Sequence, residues 1–191
     1  MSLINSKKYY IDAIITILLL SVGLLLSIYF GDLGHAVIIA GLLFIYLILF
    51  KEGLITFLFS LLFAFLTILM VLGSQGVFSL YERFFWYDKP IHFTAEFLLT
   101  LLAGHILLTK KLIQVKNKLI FFIVVVSIGV ALGGVWEVVE WFLNLLKPAF
   151  HGYTATDTAM DLLVDTIGVV IAGYISAFHI HIKKNTVINE L

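Results

Sequence analysis

The sequence predicts an all-α integral membrane protein of six transmembrane helices with both termini in the cytoplasm, and three observations carry that expectation. The first is composition: of 191 residues, 62% are hydrophobic and 13% charged, and mean hydropathy is +1.12. A water-soluble domain of this length needs a larger polar fraction to cover its surface. The second is a series of apolar windows near the roughly 20 residues that a bilayer requires. The third is where the bases fall. Lys7, Lys8, Lys51, Lys110, Lys111, Lys116, Lys118, Lys183 and Lys184 lie on one side of the resulting topology, and Arg83, Lys89 and Lys147 on the other. The side richer in Lys and Arg is the cytoplasmic one.

In order, the expected spans are 11–30, 33–50, 53–73, 90–109, 118–146 and 157–181. Gly31-Asp32 ends the first, Lys51-Glu52 ends the second, and only a two-residue turn separates the second from the third. Pro90 suits the first turn of the fourth, where its missing N–H costs little. The fifth is long enough to tilt. Between the third and fourth, residues 77–87 (VFSLYERFFWY) read as an interfacial aromatic segment, with a lid or side entrance for a lipid as the alternative. Runs this continuously apolar do not fit barrel strands. Lys7 and Lys8 precede an apolar run too long for a signal peptide, so it reads as a retained helix. Residues 1–191 read as a single transmembrane domain without a linker or internal repeat, and so without support for an inverted-repeat transporter.

The absence of Cys excludes a disulfide scaffold, a Cys-based metal site and a thiol nucleophile. Zero net charge leaves no broad argument for nucleic-acid binding. H-E-x-x-H, E-x-x-H and G-x-S-x-G are all missing, which removes zincin, ferritin-like and serine-hydrolase readings.

Most of the acids are concentrated. Asp88, Glu96, Glu137, Glu140, Asp157, Asp161 and Asp165 are seven of the twelve, and His92 joins them. Asp88, His92 and Glu96 recur at i, i+4, i+8 and share one helix face, as do Asp157, Asp161 and Asp165. Glu137 and Glu140 are i, i+3 between Trp136 and Trp141. On the expected topology three helices bring acidic faces to one depth in the outer half of the membrane. An ionised carboxylate near the bilayer centre costs about 2.5 to 3.5 kcal/mol on insertion scales, so these groups must face one another, bind something or carry protons.

A bound cation is the most economical solution, because oxygen-rich sites suit hard divalent metals and one imidazole extends the choice. The expected ligands are His92, Glu137, Glu140, Asp161 and Asp165, for Mg, Mn or Zn, with Asp88, Glu96 and Asp157 as further candidates. His92, Glu137 and Glu140 are the candidate catalytic groups, and Arg83 and Lys89 the cations at the substrate mouth. Shared protons are the other solution. A polar network that pins helix packing is the structural alternative. Asp157, after Thr154 and Thr156, and Asp88, before Pro90, also suit helix caps. His105 reads as a packed residue, His179 and His181 as interfacial, and His35 and His151 as residues of the outer side. Gly129 and Gly133 form a G-x-x-x-G that favours close helix packing.

The same residues carry a resemblance. Asp88-Lys89-Pro90-Ile91-His92-Phe93, the stretch Gly133 to Trp141 (GGVWEVVEW) and the stretch Asp157 to Gly168 (DTAMDLLVDTIG) resemble the VanZ-like membrane proteins, and more closely the YjdF-like inner-membrane proteins. The likeness covers about the C-terminal half. VanZ-like proteins usually have Gln where this chain has Glu140, whereas the YjdF-like pattern keeps E-x-x-E-W. The resemblance implies a bacterial inner-membrane protein with a site at these positions, and no particular reaction.

The residues point to a membrane-embedded divalent-cation site that opens outward and serves a metal-dependent enzyme. Its substrate would be lipid-derived or from the cell envelope, with membrane lipid as its partner. The alternatives are a proton- or cation-coupled transporter, which requires polar groups to continue toward the cytoplasm, and a non-catalytic lipid- or glycopeptide-binding protein. For such a continuation the sequence offers Thr100, His105 and Thr166.

Overall fold

The computed structural model describes residues 3–73, 78–115, 117–146 and 154–179. Val77, Lys116, Lys147, His151, His181, Lys183 and Lys184 lie outside them. The regular structure among the described residues is entirely helical: α1 (Leu3–Tyr29), α2 (Leu33–Lys51), α3 (Phe57–Gly73), α4 (Leu80–Arg83), α5 (Asp88–Thr109), α6 (Lys118–Leu146) and α7 (Ala155–Phe178).

Five of these helices are long and apolar enough to cross a membrane: α2, α5, α7, the Tyr10–Tyr29 part of α1 and the Lys118–Phe142 part of α6. The third expected span differs. It begins at Phe57 rather than residue 53, and its 17 residues reach about 26 Å at 1.5 Å per residue, short of the roughly 30 Å hydrocarbon core. The cause is the end of α2. Gly53 adopts a φ of +67°, its N–H donates to the Phe50 carbonyl, and the Leu54 N–H donates to the Leu49 carbonyl at 2.9 Å. This Schellman closure extends the two-residue turn that the sequence suggested and delays the next helix. Gly31 closes α1 in the same way at a φ of +76°. The described part of the aromatic segment after α3 contains the single helical turn of α4.

The helices form two packed groups, α1 with α2 and α3, and α5 with α6 and α7, joined where α3 lies on α5. The first group and the join share an apolar core that includes Leu20, Ile39, Tyr46, Phe63, Leu98 and Leu101. A smaller apolar cluster, Phe121, Val125 and Ala177, closes the second group near the Thr109 end of α5. Large side chains such as Leu25, Phe44 and Val138 remain more than 60% exposed. Patches of that kind are rare on soluble monomers and suit helices solvated by hydrocarbon.

In the second group polar side chains join the apolar ones on the buried faces. His92, Glu96 and Thr100 on α5, Glu137 on α6, and Asp161, Asp165 and Ser176 on α7 are all buried. Glycines bring the backbones close enough for this. A Cβ on Gly168 would stand 2.8 Å from the Phe93 carbonyl oxygen, and one on Gly104 would stand 2.7 Å from the Ser176 hydroxyl. These contacts show that α5 and α7 run in the same direction. Gly129 faces Thr100 and Gly133 faces Asp165, so α6 runs opposite to both and its G-x-x-x-G lies in the interface.

Candidate metal centre

Two helix starts and one helix end deliver the acids to the same place. At the start of α7 the Thr154 hydroxyl accepts from the Asp157 N–H at 3.1 Å. Thr154 is therefore the cap, and the Asp157 carboxylate is released for other work. Asp88 likewise makes no cap bond, since Tyr87 occupies that position. One turn deeper on α5, His92 lies among four carboxylates. Its Nδ1 is 3.3 Å from Asp165 Oδ1 and 3.8 Å from Glu137 Oε1, and its Nε2 is 3.9 Å from Glu140 Oε2 and 3.8 Å from Asp161 Oδ1.

The acids resolve into two groups, each with donor atoms within 4.8 Å of one another: His92 with Glu137 and Glu140, and Asp88 with Asp157 and Asp161. Asp165 and Asp161, expected as ligands, flank the first group from α7. Glu96 lies close enough to Asp165 and His92 for their charges to act on it, and it is only 4% exposed.

The sequence placed Lys89 among the cations at the substrate mouth. Instead the ammonium turns inward, 2.7 Å from Asp157 Oδ1, 2.7 Å from Asp161 Oδ1 and 3.0 Å from Asp88 Oδ2. Its four-carbon stem allows a residue at the helix start to reach across to α7, where three carboxylates attract it far more strongly than open solvent does. The second group thus carries its own cation. Arg83 stays exposed on α4.

Among the described residues no lysine or arginine pairs with the first group, whose only cation-forming side chain is the His92 imidazole. Both Glu137 oxygens and Asp165 Oδ1 are buried without a well-formed hydrogen bond among the described residues, although the Thr158 hydroxyl comes close to the Glu137 carboxylate, and Glu137 is 5% exposed. A given ion takes only one imidazole nitrogen, and one donor atom each from His92, Glu137 and Glu140 lies within 4.8 Å of the others, against the roughly 3.0 to 4.2 Å between donor atoms of an octahedral shell with bonds of about 2.1 Å. The Asp165 carboxylate beside Nδ1 fixes the imidazole as carboxylates commonly do for metal-bound histidines, and Nε2 then faces Glu140 and Asp161.

Sequence reasoning missed Tyr81, which looked like part of the aromatic belt. Its ring packs 5.5 Å from Tyr87 and 5.1 Å from His35 and rests on Gly73. Burial, then the charges of Asp88 and Glu140, push its pKa well above the ordinary tyrosine value, so it stays a neutral hydrogen-bond donor beside the acids.

An all-helical integral membrane protein with acidic and histidine groups able to hold a metal ion is the class that this fold and site define. The chain belongs to the family described as "Predicted membrane protein (DUF2238)", which matches residues 9–182. No curated protein and no solved structure matches it.

The Lys89 geometry has a measurable consequence. Lys89→Met leaves three carboxylates without their cation and is expected to lower unfolding stability in mixed micelles by about 1 to 3 kcal/mol, discounted from the cost of breaking a fully buried pair because Asp88 and Asp157 are partly exposed. Divalent-cation affinity at His92 is expected to rise in the same variant, since a nearby positive charge has gone. A fall in affinity would place Lys89 in support of the His92 group instead.

Proposed function

We propose that this chain binds a divalent cation, Mg, Mn or Zn, through His92, Glu137 and Glu140, with Asp165 orienting the imidazole and Asp161 joining from the Lys89 side. The observation that carries this reading is Glu137, whose carboxylate is buried in a membrane bundle without a well-formed hydrogen bond among the described residues and lies within 4.8 Å, donor atom to donor atom, of His92 and Glu140. Burying carboxylates with one shared imidazole as their counter-charge costs several kcal/mol, and a cation lowers the cost.

A metal in this position would polarise a phosphate or ester oxygen, or activate water, on a lipid-derived or cell-envelope substrate. Glu140, with 32% of its side chain exposed, stands on the open side, where a carboxylate not engaged by the metal serves as general base. Arg83 and the phenol of Tyr81 are the groups available to hold the substrate. The scarcity of free cations favours a substrate with little negative charge. The excess of Lys and Arg on one side supports cytoplasmic termini and an outward-facing site. The VanZ-like and YjdF-like resemblance supports a bacterial inner membrane.

The transporter reading keeps one specific observation in its favour: the polar surface continues past His92 through Glu96, Thr100 and Ser176, all buried.

Titration of the purified, detergent-solubilised chain with Mn2+, followed by electron paramagnetic resonance, tests the proposal. One tightly held ion per chain, displaced by Zn2+ or Mg2+, is the expected result. Absence of specific Mn2+ or Zn2+ binding overturns it.

A further inference from the structure

Helical Ser and Thr residues in an apolar environment usually satisfy themselves by donating to the carbonyl one turn back, and this chain does so repeatedly. Thr67 donates to the Phe63 carbonyl at 2.8 Å, Thr94 to Pro90 at 2.7 Å and Thr166 to Leu162 at 2.7 Å. Thr100 and Ser176 do not. Their hydroxyls are buried without a partner, as is Oε2 of Glu96, and the three residues are 0%, 1% and 4% exposed.

These groups lie in sequence along one seam. Glu96, Thr100 and Gly104 succeed one another by four residues on α5, a rise of about 6 Å each. The Thr100 hydroxyl is set against Gly129 of α6, and the Ser176 hydroxyl against Gly104. Each hydroxyl therefore crosses a helix interface and occupies the place that a side chain at the facing glycine would take. An unpaired buried hydroxyl costs about 1 to 3 kcal/mol, and water is the partner that removes this cost, since one molecule bridges polar atoms about 5.5 Å apart. Thr166 is exposed on the other side of α7, and His105 packs its ring 5.2 Å from Phe59 of α3. The seam therefore includes Thr100 alone of the three groups the sequence offered, and gains Ser176.

At the far end the seam stops. Val125 is fully buried and lies 3.6 Å from the position of a Cβ on Gly104, beside Ser176, and with Phe121 and Ala177 it forms the small apolar cluster of the second helix group.

We propose that Thr100 and Ser176, below Glu96, form the protein half of a hydrated track that carries protons between the acidic site and the opposite end of the bundle, with Val125 as its apolar gate. Each step breaks one O–H bond and forms another between a water and a hydroxyl or carboxyl oxygen, and a potassium counter-flow balances the charge. The track stands on the buried hydroxyls and the glycines that face them, so it does not require a metal at His92.

Proteoliposomes of the full chain, loaded with a pH-sensitive dye and given a potassium-valinomycin potential, test it. Val125→Ser wets the gate and is expected to raise proton influx at least about tenfold over wild type, as expected when a dewetted constriction is opened. Adding Thr100→Val or Ser176→Ala to that variant is expected to return influx to the wild-type level. Monodisperse elution from gel filtration establishes that each variant is folded, and Mn2+ titration reports the His92 group separately. Folded Val125→Ser with wild-type influx overturns the track, as does a leak that both second substitutions leave intact. If influx rises and reverts while no variant binds Mn2+, the track survives and the metal reading fails.

Discussion

Glu137→Ala is expected to lower divalent-cation affinity by about 100-fold or more, equivalent to about 2.7 kcal/mol, and to raise the thermal stability of the metal-free protein. The two signs together make the experiment decisive. In the absence of metal, Glu137 is a buried carboxylate without a well-formed hydrogen bond among the described residues and with the imidazole 3.8 Å away, so deleting it removes a desolvation cost larger than the contact it gives up. In the presence of metal the same side chain supplies a ligand, and saturating cation stabilises the wild-type chain by mass action. The wild type should therefore gain melting temperature when Mn2+ is added, whereas the variant should begin higher and gain nothing. A helix-pinning network predicts the opposite in the first measurement, because removing a structural partner lowers stability whether or not metal is present. Glu137→Gln separates charge from shape: it keeps the volume and is expected to lose the metal response as the alanine variant does.

The membrane character of the chain and the gathering of acids are legible in the sequence because both depend on periodicity. Hydrophobic windows of bilayer length mark the helices, and the four-residue spacing of Asp88, His92 and Glu96 against Asp157, Asp161 and Asp165 aligns two faces before any contact is known. What periodicity omits is reach and rotamer. Lys89 looked like a loop charge because its Cα is at a helix start, yet its stem carries the ammonium to Asp157 and Asp161 on another helix. That reach separates the acids gathered around the Lys89 ammonium from those gathered around the His92 imidazole. Thr100 and Thr166 look alike in sequence, yet one hydroxyl crosses a helix interface and the other folds back on its own carbonyl. The late start of α3 depends on a single positive φ at Gly53, which composition allows but does not require.

The second large effect concerns the contact that holds the two acidic faces together. Gly168→Ala is expected to destabilise the chain by about 1 to 3 kcal/mol, the usual cost of overpacking, and to weaken divalent-cation binding with it. A Cβ at this position would stand 2.8 Å from the Phe93 carbonyl oxygen and 3.4 Å from the Phe97 amide nitrogen. Both are backbone atoms of α5, so no side-chain rotation relieves the clash, and α7 must move away from α5. Phe93 adjoins His92, and Gly168 lies less than one turn beyond Asp165, so the separation opens the 3.3 Å approach of Asp165 to the imidazole first. Gly134→Ala on α6 is the matched control. Nothing lies within 4 Å of its Cβ position, and alanine is the better helix former by about 1 kcal/mol, so that variant should be at least as stable as the wild type and bind metal as tightly. Equal behaviour of the two variants in thermal unfolding and Mn2+ titration would mean that the α5–α7 approach does not position the site; a loss confined to Gly168→Ala would show that a missing methyl group holds the acids of α7 against His92.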